Sequence, residues 1–194
     1  MEHTKLYQKI AEVSVNWWCN TLASPKFDNG ATDHANMMSS MLATTIALKN
    51  LPSPEQFAIF REELTKTIIG ELEQGRNLVL SVDYTPAPPL YQIAQKANIN
   101  PMGFPWKTTM LISEFAVAVS YGYNTSYEYL LLTEDGYNKR LEIARKNLEE
   151  AEAELEKAID NDNSFNIECK KAIVNNARHI LYETENYTEI LYKE

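Results

Sequence analysis

The 194-residue sequence predicts a predominantly helical α+β protein, and three observations carry the prediction. Apolar residues recur at helical spacing in three segments before residue 75 and in two after residue 134. The stretch from Arg76 to Asn124 instead holds alternating and continuous apolar runs that read as strands. Clusters of Pro, Gly, Asn and Ser separate these segments. The expected architecture is three N-terminal helices, a small β-α-β-β unit and a C-terminal antiparallel helical hairpin. Residues 1–133 would form a globular domain, and 134–194 a hairpin appended to it or packed on it.

The first helix is predicted over about residues 4–23, with Leu6, Ile10, Val13 and Trp17 as its core-facing stripe. Trp18 lies about 100° further round, so the helix is buried on two sides or Trp18 meets a partner. Ser24 to Gly30 is turn chemistry, with Asn29-Gly30 supplying positive φ, and Thr32 or Asp33 is placed to cap the next helix. That helix runs to Asn50 and carries Met37, Met38, Met41, Leu42, Thr45, Ile46 and Leu48. Ser39, Ser40, Ala43, Thr44 and Ala47 fill its other positions, which predicts a buried central helix packed on more than one side. Its apolar run is too short for a bilayer, which needs about 20 residues. Ser53, Pro54 and Gln56 form a capping box with Pro at the first helical position, and Phe57, Phe60, Leu64, Ile68 and Leu72 continue as a core stripe until Gln74-Gly75.

In the central unit Leu78, Leu80 and Val82 alternate with Val79, Ser81 and Asp83. Pro86, Pro88 and Pro89 then open a short helix bearing Leu90, Ile93, Ala94 and Ala97. Beyond the Pro101-Met102-Gly103 turn, Thr108 to Ile112 and Phe115 to Tyr121 are apolar runs divided by Ser113-Glu114, which suits a tight hairpin. The C-terminal helices read as a coiled-coil pair. Leu141, Ala144, Leu148, Ala151, Leu155 and Ala158 form one seam, with alanines that let two backbones come close. Cys169, Ile173, Asn176, Ile180, Tyr187 and Ile190 form the other, with Asn176 setting register. The Ala/Leu seam is also where a homodimer would be expected.

Net charge is −9 with a pI near 4.9, which argues against direct nucleic-acid binding by a basic stripe. From Glu134 onward, 15 acidic and 9 basic residues place six of the nine net charges in the hairpin segment. Cys19 and Cys169 suggest neither a disulfide nor a zinc site, and read as two buried thiols in a reducing compartment. The start of the chain lacks the basic-then-apolar pattern of an export signal, so a cytoplasmic protein without a membrane anchor is expected.

Catalytic motifs are absent, and His3, His34 and His179 stand alone. Asp160, Asp162, Ser164, Asn166 and Glu168 imitate a calcium-binding loop, but Phe165 replaces its required glycine and Lys171 its bidentate glutamate. No catalytic residue, metal site or cofactor is therefore assigned.

Two candidate surfaces remain. Glu149, Glu150, Glu152, Glu154 and Glu156 would give the hairpin a negative outer face for a partner with a basic surface. Asp83, Tyr84, Trp106, Lys107, Tyr121 and Tyr123 would line an aromatic patch for a small, nucleotide-like ligand, with Asp83 paired to Lys107.

The segment from Phe104 to Met110, Phe-Pro-Trp-Lys-Thr-Thr-Met, followed by Val119-Ser120-Tyr121-Gly122-Tyr123, resembles uncharacterised small proteins of bacteriophages and other bacterial mobile elements. The likeness spans the middle part of the chain and assigns no role to any residue. It implies a context only, that of accessory proteins that bind and block a protein of the bacterial host. With the missing catalytic motifs and the acidic hairpin, the expectation is a non-enzymatic interaction protein in the host cytoplasm that inhibits a host defence or nucleic-acid-binding protein.

Overall fold

Among the described residues, helices and a small sheet follow in the order α1 (Glu2–Ala23), α2 (His34–Leu48), α3 (Pro54–Glu73), β1 (Leu78–Val82), α4 (Leu90–Lys96), a 3-10 turn (Pro101–Gly103), β2 (Thr108–Ile112), β3 (Ala116–Tyr121), β4 (Glu128–Thr133), α5 (Glu134–Asp160), α6 (Ser164–Glu185) and β5 (Leu191–Tyr192). This computed structural model describes residues 2–25, 34–122, 126–160, 164–186 and 191–192. The fold is α+β, with the sheet order β1-β2-β3-β4-β5. The chain divides into two compact units, Met1–Leu131 and Leu132–Glu194.

In the first unit, the alternation read from the sequence becomes rows of buried side chains. Antiparallel pairing sets Leu80 opposite Met110 and Met110 opposite Val119, while Leu78, Ile112 and Val117 form a neighbouring row. Ser113 closes the β2–β3 hairpin, its N–H donating to the Ala116 carbonyl at 2.9 Å and its Oγ accepting from the Ala116 N–H at 3.1 Å. Trp18, Phe60 and Phe104 are fully buried, with ring centroids 6.0 Å apart for Trp18 and Phe104 and 5.9 Å for Phe60 and Phe104, and so join α1, α3 and the segment entering β2. The α3 start follows expectation: Ser53 caps it, Gln56 completes the box and Pro54 opens the helix.

Several expectations are corrected. The buried stripe of α1 is Ile10, Ala11, Val15, Trp18, Cys19 and Leu22, one position round from the predicted one. Trp18 faces inward against the tilted ring of Phe104, which leaves Leu6, Val13 and Trp17 half-buried. The α2 helix is not a buried central helix, because only Ala43 and Ala47 of its described side chains are buried while Met37, Met38, Met41, Leu42 and Leu48 are exposed. β4 is an additional strand that continues the sheet beyond the β-α-β-β unit; its Leu131 and Leu132 are buried. β5 pairs parallel to its end, Leu132 opposite Leu191. The Asn29-Gly30 turn, the Thr32 or Asp33 cap, the middle of the Asp160–Ser164 turn, and Tyr187 and Ile190 lie outside the described residues.

In the second unit, α5 begins directly after β4, with Thr133 Oγ1 accepting from the Gly136 N–H at 3.0 Å as its cap. The predicted α5 seam holds: Ala144, Ala151 and Ala158 are buried, with Leu148 and Leu155 packed against Val174 and Ala177. The α6 seam is corrected by one residue to Ile167, Val174, Ala177, Leu181 and Thr184, so Cys169, Ile173, Asn176 and Ile180 are exposed. Val174 and Ala177 are small enough to meet the α5 alanines at close range, and one position round the larger isoleucines turn outward. Cys19 is buried, and burial pushes its thiol pKa up although Arg61 pulls it down; Cys169, expected to be buried, is open to solvent. Among the described residues no helix is long and apolar enough to cross a membrane.

Candidate functional site

The hairpin's charges sort by heptad position. With Leu141, Leu148 and Leu155 at a and Ala144, Ala151 and Ala158 at d, Glu152 falls at e and Glu154 at g, beside the seam, where a facing helix can pair with them. The α6 helix does so: Arg178 reaches Glu152 at 2.7 Å, and Lys170 pairs with Glu154. The hydrogen bond from Lys170, then its positive charge, holds the Glu154 carboxyl below the usual carboxylate range. Arg145, another e position, lies 3.4 Å from Glu185, and Lys146 lies 3.7 Å from Glu150 along α5. Glu150, Glu152 and Glu154 are thus matched by the protein's own cations. Glu149 and Glu156 sit at b, exposed and without an ion pair among the described residues. Glu142, seven residues before Glu149 and missed from the sequence, continues that line at a spacing of about 10 Å per heptad. The signal that separates paired from unpaired glutamates was the heptad register, not their number. Because α6 occupies the Ala/Leu seam, a second copy could use that seam only by displacing it.

The aromatic patch is built around an unusual backbone. Lys107 has φ 55°, left-handed for a residue with a Cβ. Two hydrogen bonds of 2.9 Å hold it there: its N–H donates to the Asp83 carbonyl, and its carbonyl accepts from the Gly122 N–H. Its Nζ forms the expected ion pair with Asp83 and stands 4.4 Å from the centre of the Tyr84 ring. Tyr84 in turn meets Trp106 edge-on, centroids 5.3 Å apart at 72°. Asp83, Tyr84, Trp106 and Lys107 are therefore brought together.

The other two members of the patch are placed differently. Trp106 and Tyr121 pack against Ala43 and Ala47 of α2, so these rings support a helix. Tyr123 lies outside the described residues. Tyr121 also borders a cavity of about 600 Å³ between the end of α1 and β3–β4, where Trp17, Asn20, Ser24, Ser126 and Glu128 join it. Asp83, Tyr84, Trp106 and Lys107 do not line that cavity. Its residues come from segments about 100 positions apart and leave no linear motif.

Among the described residues no group of three or more His, Cys, Asp or Glu could hold a metal ion. No protein-family model and no curated protein matches the chain.

Proposed function

We propose that this chain is a non-enzymatic interaction protein whose hairpin offers an acidic ridge to a basic partner. In the context implied by the phage-like segment, that partner is a host defence or nucleic-acid-binding protein, which the chain inhibits in the bacterial cytoplasm. The supporting observation is the line Glu142, Glu149 and Glu156, exposed at successive b positions while the seam-flanking glutamates are neutralised internally. A row of like charges left unmatched on a rigid helix pair raises the association rate with a basic surface and weakens as salt screens it.

Capture from a bacterial lysate on the immobilised chain tests this reading. The expected result is a basic protein retained at low salt, released as salt rises, and lost with Glu142→Lys, Glu149→Lys and Glu156→Lys combined, while Glu150→Lys retains it. A captured protein indifferent to salt and to the triple reversal, or no captured protein, overturns the reading.

The cavity favours a second reading, capture of a small ligand bearing an aromatic ring or a cation against Trp17, Tyr121 and Glu128. A bound small molecule in a native mass measurement, absent from Trp17→Ala, is the outcome that would support it.

A further inference from the structure

We infer that the exposed apolar face of α2 is the site at which a second copy of this chain binds. His34–Leu48 contains no Asp, Glu, Lys or Arg, the longest such run in the chain. Two copies of a −9 protein repel one another, so their contact is least opposed where neither presents a charge.

Among its described side chains, the helix is buried along one edge. Ala43 and Ala47 lie on Trp106 and Tyr121. At its end Asn50 donates to the Ile46 carbonyl at 2.7 Å and accepts from Asn100 at 2.7 Å. On the outer side Met37, Met38, Met41, Leu42, Leu48 and Leu51 are between 49% and 72% exposed. Thr45, in the middle of that face, turns its hydroxyl back onto the Met41 carbonyl at 2.8 Å, satisfying it within the helix. Among the described side chains of α2, the outer side is therefore methionine and leucine around one internally satisfied hydroxyl, with Lys49 at its C-terminal edge.

Area decides between an ordinary surface and an interface. Six large side chains at this exposure present on the order of 600 Å², the upper end of the largest apolar patch on a typical monomer. Joined about a twofold axis, two such faces remove about 1,200 Å² from water, the lower end of what stable specific interfaces bury. Methionines suit this use, because their unbranched side chains repack against copies of themselves. A membrane surface suits the face less well. Interfacial helices carry Lys and Arg on the polar side, whereas here Lys49 alone adjoins the helix and the chain as a whole is acidic.

Light scattering and sedimentation equilibrium on the purified chain, from low to high micromolar, test it. The mass is expected to rise from 22.2 kDa toward twice that value. Met41→Glu with Leu42→Glu, which sets like charges against each other across the twofold axis, is expected to weaken association at least about tenfold, the equivalent of ~1.4 kcal/mol. Far-UV circular dichroism should be unchanged. Met41→Leu should still dimerise, as should Ile173→Glu with Ile180→Glu on the hairpin. Should the double-glutamate variant lose helix content, Met38→Gln with Met41→Gln gives the same reading. A wild-type monomer at high micromolar, a dimer that survives the α2 variants, or one lost with the hairpin variants overturns the inference. So does flotation with lipid vesicles that Met41→Glu abolishes.

Discussion

The α2 helix and the α5–α6 hairpin bury the same kind of residue and expose different mixtures. Inward, each relies on alanine: Ala43 and Ala47 against two aromatic rings, and Ala144, Ala151 and Ala158 against the facing helix. Outward, the hairpin scatters isoleucines such as Ile143, Ile159, Ile173 and Ile180 among glutamates and lysines, several of these paired across the seam, while the described outer side of α2 is a continuous run of methionine and leucine. Alanine on the inner face reports close approach and leaves the outer face undetermined. What a helix shows to water is therefore the part of the pattern that bears on function.

The shared inner face can be broken most directly by overpacking. Ala47→Leu and Ala151→Leu are each expected to lower stability by about 2 kcal/mol in urea titrations, since added methylenes force neighbouring side chains off their rotamers. A silent Ala47→Leu would mean that α2 does not rest on its alanines.

The platform under α2 gives the next largest effect. Lys107→Gly and Lys107→Ala both remove the Asp83 pair, but only glycine relieves the left-handed backbone, so the glycine variant should be the more stable of the two by about 1 kcal/mol. Equal melting would show that the backbone there is unstrained.

Outer positions should matter much less to folding. Met38→Ser and Ile173→Ser should each change monomer stability by no more than about 0.5 kcal/mol, measured below the dimerisation range. A larger loss for Met38→Ser would show that its face is already covered within the chain. The hairpin's ion pairs should be weaker still: a double-mutant cycle on Glu152 and Arg178 is expected to give a coupling of about 0.5 kcal/mol or less, vanishing in molar salt.

The smallest effect is in pH. The Glu154 carboxyl is held below its unfolded value by Lys170, so its contribution is present above the ordinary carboxylate range and is lost as pH falls through the lowered value. The hairpin should melt more readily in acid, and Glu154→Gln should flatten that dependence.

Much of this arrangement was legible from residue patterns. The α3 cap, the β2–β3 hairpin and the α5 seam each depend on a short, local pattern, and the Asp83–Lys107 pair, 24 residues apart, follows from the entry of β2 beside the end of β1. What escaped depends on a partner surface. In α6 two stripes one residue apart have equally good heptad spacing, and packing against α5 turns Val174 and Ala177 inward and Ile173 and Ile180 outward. β4 escaped for another reason: Leu130, Leu131 and Leu132 run straight into α5, with no Gly or Pro to punctuate the change of period. In α2 the apolar run was evident, but whether an apolar helix lies inside a protein or on its outside is not a property of the helix. The glutamate face was half-resolved for the same reason, since Lys170 and Arg178 are distant in sequence and adjacent across the turn.

Of the two cysteine thiols, one is open and the other is enclosed. The enclosed thiol of Cys19 ionises reluctantly, and its reaction with an electrophile is slow to match. A maleimide dye or nitroxide applied to the unaltered protein should therefore attach at Cys169 alone, giving spectroscopists a single-site probe on the outer surface of α6 without engineering.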